Sequence, residues 1–424
     1  MAGAFGPCLL RWPTLANQAI KPALATGDMP LDRPSAPASV AQEWTLLLAA
    51  SCVNSRHDER IRRLLEHPIN WNALLGLADD HGASSLLHQN LSPLSDLVPL
   101  EVLARLRERY EGNVRRSLFL TRELFRILDC LNALGIDAIP HRGVTLSEIY
   151  YDDMALRPAG DIDLFVRRRD VLRMRDAIRD LGYTRRLTIP QAVEPAYIAS
   201  GYEYTFDTPA EKNLLELQWS LLPRFYSVDF NMEGLFERVA NATVAGRSVK
   251  TPSPKDLLLV LSIHAAKHVW ARLIWLCDIA QILQREKIDW DWVQWQARDL
   301  GIQRILHITL LLAKQFLEAA IPTELENAAN RDATTRTLAG ETALAVAAGT
   351  MYDTQQLSYF RLMMQLRERR ADRLRFLSRL AFTPGPGEWE AVRLPEPLFP
   401  LYRLVRLARL AGRFMRKKQS AGGP

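Results

Sequence analysis

Asp161 and Asp163 stand two residues apart in Gly160-Asp161-Ile162-Asp163-Leu164-Phe165-Val166, a run in which apolar residues alternate with the acids. Strand side chains point alternately to opposite faces, so this spacing sends both carboxylates one way and Ile162, Leu164 and Val166 the other. Paired carboxylate oxygens suit a hard cation such as Mg²⁺, which keeps several waters and completes its shell with substrate phosphates. The pattern therefore predicts metal-dependent phosphate chemistry. Transfer through two metals calls for a third carboxylate nearby. Leu214-Leu215-Glu216-Leu217-Gln218-Trp219 offers one: Leu215, Leu217 and Trp219 share an apolar face and leave Glu216 and Gln218 on the other. Asp207, in the turn Asp207-Thr208-Pro209-Ala210 that links this run to the strand Tyr202–Phe206, is a weaker choice.

Cations for a triphosphate are also at hand. His141-Arg142-Gly143 follows a short strand, Asp137–Pro140, and precedes a helix over Thr145–Tyr151. A glycine at such a turn lets the backbone approach a phosphate, and the helix start favours an anion. Arg142 would add charge there, Arg157 sits just before the acidic pair, and Lys267 could reach in from a downstream helix. His264 and His268 have the i, i+4 spacing of zinc ligands, but no Glu takes the place a zinc protease needs. They read as packed histidines or substrate contacts.

The elements that must hold these residues fall into five stretches. Residues 1–42, with Pro13, Pro22, Pro30, Pro34 and Pro37, read as a disordered leader or an overextended gene start. Residues 43–135 show helical three- and four-residue apolar spacing. Residues 136–250 form an α+β core of short apolar runs with a helix near Val171–Leu181, and 251–382 return to helices. Across 383–424, Pro384-Gly385-Pro386-Gly387 breaks the chain before a basic helix, Leu401–Lys418. Its arginines 403, 406, 409, 413 and 416 recur at helical spacing, which fits either a solvated face or weak contact with an anionic surface. Ile69-Asn70-Trp71-Asn72 is echoed by Ile288-Asp289-Trp290-Asp291, each followed by a spaced Ala, Asp, Gly, Leu, His and Leu. This reads as two similar helical hairpins, each started by an Asn or Asp cap and stopped at a glycine.

Composition narrows the class. The 424 residues allow more than one domain, and 48% hydrophobic content can fill real cores. A net charge of +6 admits anionic substrates without amounting to a nucleic-acid tract. Cys8, Cys52, Cys130 and Cys277 lie far apart, which excludes a disulfide scaffold or zinc knuckle and fits a reducing cytoplasm. No run approaches the length of a membrane-spanning helix, and Met1–Ala25 lacks the apolar centre of a signal peptide.

His141-Arg142-Gly143, Ile149-Tyr150, Leu156-Arg157-Pro158 and Asp161–Val166 together resemble the core of the uncharacterised nucleotidyltransferase family in the polymerase-β-like superfamily. The likeness continues through Leu215–Trp219, His264-Ala265-Ala266-Lys267-His268 and Trp275–Ala280, covering roughly 45 to 415. It implies a small mixed-sheet α+β core flanked by N- and C-terminal helical regions. It also implies Mg²⁺ (or Mn²⁺) held by Asp161, Asp163 and Glu216, an NTP donor such as ATP, and transfer of an NMP to an acceptor hydroxyl or phosphate. A small molecule or protein is the expected acceptor rather than nucleic acid. The chain departs from the family's pattern at Arg142, where Lys is common, at Val144, where Ser is usual, and at Gln218, where His is common. Those departures leave open a catalytically silent binding or regulatory module. Glycosyl transfer with Mn²⁺ would need a larger parallel α/β domain before the acidic pair, where helices stand instead. A further plain alternative is that Asp161 and Asp163 line a solvated strand edge, for Asp289-Trp290-Asp291 repeats the pattern elsewhere.

Overall fold

The computed structural model describes residues 40–52, 58–350, 357–392 and 394–409. The expected leader up to residue 39, and the expected basic helix beyond 409, lie outside the described residues. Helices α1 (Ala41–Ser51), α2 (Asp58–Leu65), α3 (Trp71–His81) and α4 (Ser84–Leu91) lead into α5 (Leu100–Ala133). At 34 residues α5 is about 50 Å long. Its first half sends Val102 and Leu106 into a helical core, and its second half lays Leu120, Leu124, Ile127 and Leu131 on the sheet.

The α+β segment follows: β1 (Ala138–Pro140), α6 (Val144–Tyr150), β2 (Ile162–Val166), α7 (Val171–Asp180), β3 (Thr184–Arg185), α8 (Glu194–Ser200), β4 (Glu203–Asp207), β5 (Leu215–Gln218), α9 (Met232–Glu237), β6 (Ala240–Val244) and β7 (Arg247–Thr251). Five strands form a mixed sheet in the order β1-β2-β5-β4-β3. The β2–β5 pair is parallel and the other pairs are antiparallel. Alternation divides the two faces. Ile162, Leu164, Val166, Leu215, Leu217, Tyr204 and Phe206 join α5 and α7 in one apolar core. The opposite face carries the polar residues of the same strands and turns toward the helical body, where Ile139 and Phe165 enter the other core.

Sequence periodicity did not reveal the β6–β7 hairpin. Its strands are half polar and exposed, and its tight turn uses Ala245 (φ 44°) and Gly246 (φ 77°), an Ala-Gly pair that is a weak turn signal.

The C-terminal helices are α10 (Pro254–Lys267), α11 (Leu273–Arg285), α12 (Trp290–Asp299), α13 (Gln303–Leu317), α14 (Thr323–Arg331), α15 (Ala333–Ala347), α16 (Leu357–Gln365), α17 (Arg370–Phe382) and α18 (Pro386–Ala391), with a further helical stretch over 402–409. The two flanking helical regions share one continuous apolar core. Trp44 of α1 meets the Phe316 ring of α13 edge-on at 5.5 Å, and the Leu273 amide donates to His81 Nδ1 at 3.2 Å. The sequence echo is structural: Asn70 Oδ1 accepts from the Ala73 amide to start α3, as Asp289 Oδ1 accepts from the Trp292 amide to start α12.

Two arginines of the basic tail are engaged within the chain: Arg406 and Arg409 reach Glu388 at 3.2 and 3.3 Å. No helix among the described residues is long and apolar enough to cross a membrane.

Candidate active site

Strand pairing brings the three carboxylates together. Asp163 lies on β2 directly opposite Glu216 on β5, and Asp161 immediately precedes β2. One ligand oxygen from each of Asp161, Asp163 and Glu216 can be chosen so that all lie within 4.8 Å of one another. Asp163 is 3% exposed. Burial and the neighbouring Asp163 raise the Asp161 carboxyl to about 7. Burial and then Asp163 likewise raise Glu216 to about 8. Asp163 differs: burial opposes its charge, but the Arg142 guanidinium and His141 outweigh it and hold the carboxyl below its ordinary value. Crowded, dehydrated carboxylates of this kind gain from a cation among them. Gln218 fills in as a neutral donor, its amide nitrogen 2.9 Å from Glu216 Oε2 and 3.4 Å from Asp163 Oδ1.

Arg142 is nearer the carboxylates than its place in the upstream turn suggested. Its Nη2 donates to Asp163 Oδ1 and lies 3.6 Å from Glu216 Oε2. Its Nη1 sits 2.5 and 2.8 Å from the two ring nitrogens of His264. Burial, with Arg142 next in effect, holds His264 far below its usual range and so neutral. His264 also packs against His268 and edge-on to Trp275, at ring distances of 4.8 and 5.1 Å. Gly143 has φ 63°, and a Cβ there would stand 2.9 Å from the Asp161 carbonyl oxygen. The absent side chain thus admits the Asp161 loop.

Arg157 is engaged by Asp278 and makes no direct contact with the three carboxylates among the described residues. Its Nε and Nη2 donate to both oxygens of Asp278 at 2.8 and 2.9 Å, with side-chain exposures of 7% and 1%. The Tyr151 hydroxyl donates to the same Asp278 at 2.8 Å. Ser147 Oγ donates to the Arg157 carbonyl at 2.9 Å, so α6, the loop before Asp161 and α11 are tied at one point. Lys267, at the end of α10, donates to the Tyr202 hydroxyl at 3.0 Å on the sheet side of the cleft. Asp207 stays outside the cluster and accepts from the Asn213 amide at 2.7 Å to close its turn.

Two residues were missed. Glu203 pairs in register with Gln218, which puts it on the carboxylate face beyond Glu216. Burial raises its carboxyl, and Lys267 offsets part of that. The alternation of Glu203 and Thr205 with buried Tyr204 and Phe206 was the available signal. Arg116 of α5 donates to the Gly160 carbonyl and pairs with Glu211 at 2.5 Å, clamping the loop that delivers Asp161. A lone arginine on a long charged helix gives no sequence signal of that role.

No match to the chain was found among curated proteins or solved structures. A family model described as uncharacterised nucleotidyltransferase matches residues 67–318, which takes in the whole carboxylate site and Lys267. That span exceeds half of the sequence and contains the mixed sheet with its paired acids, and the chain belongs to this nucleotidyltransferase family.

Proposed function

We propose that the protein is a Mg²⁺-dependent nucleotidyltransferase that moves an NMP from an NTP to a hydroxyl or phosphate of a small molecule or protein. The observation that carries this reading is the convergence of Asp161, Asp163 and Glu216 from two parallel neighbouring strands, with ligand oxygens within 4.8 Å. The donor set fits the metal: three hard oxygens, two of them on carboxyls that burial and mutual repulsion hold well above their ordinary values. Asp161 and Asp163 would hold both ions and Glu216 would complete the second. Bound there, the ions supply charge that stabilises the attacking and leaving oxygens of an in-line displacement.

The chain's own residues supply the rest. Arg142, already beside the carboxylates, reaches the β- and γ-phosphates of a bound triphosphate, and Lys267 adds a cation from α10. Gly143 acts through the turn it permits, and Arg157 through the loop it anchors to Asp278. In the transfer, an acceptor oxygen bonds to the α-phosphorus, the proton of a hydroxyl acceptor passes to Glu216, the α–β bridging P–O bond breaks, and pyrophosphate leaves with the electron pair.

The test incubates the full chain with α-labelled NTPs, Mg²⁺ and fractionated small-molecule and protein acceptors. Label should move to an acceptor with pyrophosphate release, and Asp161→Asn with Asp163→Asn should abolish both. Metal-dependent release that survives the double change would remove these carboxylates from the mechanism. Nucleotide binding without turnover in every fraction would instead mark a silent module.

A further inference from the structure

Arg142 has two claims on its charge. Its guanidinium is bound to Asp163 and lies 3.6 Å from Glu216, so it stands among the oxygens that a metal ion would use. Arg157, the nearest comparable cation along the chain, is fully engaged by Asp278, and Lys267 is turned to Tyr202. Arg142 is therefore the cation in direct contact with the carboxylate cluster among the described residues. The arrangement leaves the fork incompletely used. Its Nε is buried with no hydrogen-bond partner among the described residues, while Nη1 rests against the His264 ring and Nη2 against Asp163. An unmet buried donor is costly, and the planar fork satisfies Nε and Nη together best on a carboxylate or phosphate taken bidentately.

Resting on the nucleotidyltransferase reading, we infer that Arg142 is a resident counter-cation that a triphosphate draws off the carboxylates, so that metal and nucleotide bind cooperatively. With Arg142 on Asp163, a divalent ion meets both an occupied oxygen and a repelling charge. A triphosphate offers the fork a better partner, including for Nε, and frees Asp163 and Glu216 as it does so. The side chain is long, and it leaves the backbone beside Gly143, whose own position is fixed against the Asp161 carbonyl. The exchange is thus a side-chain movement. Linkage makes the coupling reciprocal: the metal must improve nucleotide affinity by the factor by which the nucleotide improves metal affinity.

The experiment measures Mn²⁺ binding to the full chain by the EPR signal of free Mn²⁺, with and without a non-hydrolysable NTP analogue, corrected for Mn²⁺ held by free analogue. The variants are Arg142→Gln, Arg142→Lys and Asp163→Asn. In the wild type the analogue should tighten Mn²⁺ binding by about tenfold or more. Arg142→Gln should bind Mn²⁺ alone about tenfold more tightly than wild type, and its coupling should shrink to the part due to direct ligation by the nucleotide. Arg142→Lys keeps a cation and the packing, and should retain part of the coupling. The inference is overturned if Arg142→Gln and Arg142→Lys both bind Mn²⁺ alone no more tightly than wild type while Asp163→Asn loses it. Absence of Asp163-dependent Mn²⁺ binding in every variant, with or without analogue, would overturn the metal reading as well.

Discussion

Asp161-Ile162-Asp163 and Asp289-Trp290-Asp291 have the same spacing and opposite fates. The first pair lies at the start of a central strand, where a period of two aims both carboxylates at one face and the neighbouring parallel strand adds Glu216 opposite Asp163. The second pair lies at the start of α12, where residues two apart do not face each other. Asp289 accepts from the Trp292 amide at 3.1 Å and from Lys255 Nζ at 3.1 Å, while Asp291 is exposed in the first helical turn. The electrostatics diverge accordingly. The Trp292 amide and then Lys255 hold Asp289 below its ordinary value, whereas burial and then Asp163 push Asp161 up to about 7. A carboxylate pair is left crowded and dehydrated where the backbone denies it a local solution. At α12 the helix's unsatisfied amide supplies one.

The comparison is broken most directly by activity. Asp163→Asn should lower metal-dependent transfer by about a thousandfold, comparable with deletion of other charge-stabilising groups in active sites. Asp289→Asn with Asp291→Asn should leave it at the wild-type rate, and label transfer per enzyme measures both. Equal losses from the two pairs would end the distinction. The next effect is on stability. Asp278→Asn leaves the Arg157 guanidinium, at 7% side-chain exposure, without its charged partner, and should cost about 3 kcal/mol in denaturant unfolding. Its transfer rate should fall too, because the loop tied by this pair delivers Asp161. A loss of stability without a loss of rate would separate the clamp from the site.

How much of this was legible follows the range of the interactions. The β2 limits, Ile162–Val166, coincide with the run of alternating apolar residues, and the phase of Leu214–Trp219 put Glu216 on the correct face. Both are local, period-two facts. The hairpin caps at Asn70 and Asp289 were legible for the same reason, since each bonds an amide three residues on. The partner of Arg157 was not legible because it lies 121 residues away on α11, and local sequence names a charge without naming its partner. Glu203 carried a readable alternation, but its meaning depended on the β4–β5 register opposite Gln218. Arg142 was assigned to phosphate for its place beside a glycine turn. Its contact with Asp163 arises from the antiparallel β1–β2 pairing, in which the His141 amide donates to the Asp163 carbonyl at 3.3 Å and the next side chain lands beside the carboxylate.

A smaller test sharpens the role of backbone. Gly143→Ala places a Cβ 2.9 Å from the Asp161 carbonyl oxygen at a φ of 63°, and should cost about 2 kcal/mol with a matching loss of rate as the Asp161 loop shifts. Gly246→Ala, at φ 77° with open space around it, should cost about 1 kcal/mol and leave the rate alone. Denaturant midpoints and label transfer on the two variants separate strain in general from strain against the acidic loop.

The smallest effect belongs to the other aspartate pair. Asp289→Ala removes the cap of α12, leaving the Trp292 amide to water, which is available because the site is exposed. The thermal midpoint should fall by about 1–2 °C, since a cap is a small part of the stability of a chain this long. Asp289→Asn and Asp289→Ser keep an acceptor oxygen at the cap and should recover most of that loss. At Asp163 the ranking inverts. There Asn keeps an oxygen but loses the charge, and should be as inactive as Ala, because the site needs a carboxylate where the helix needs only an acceptor.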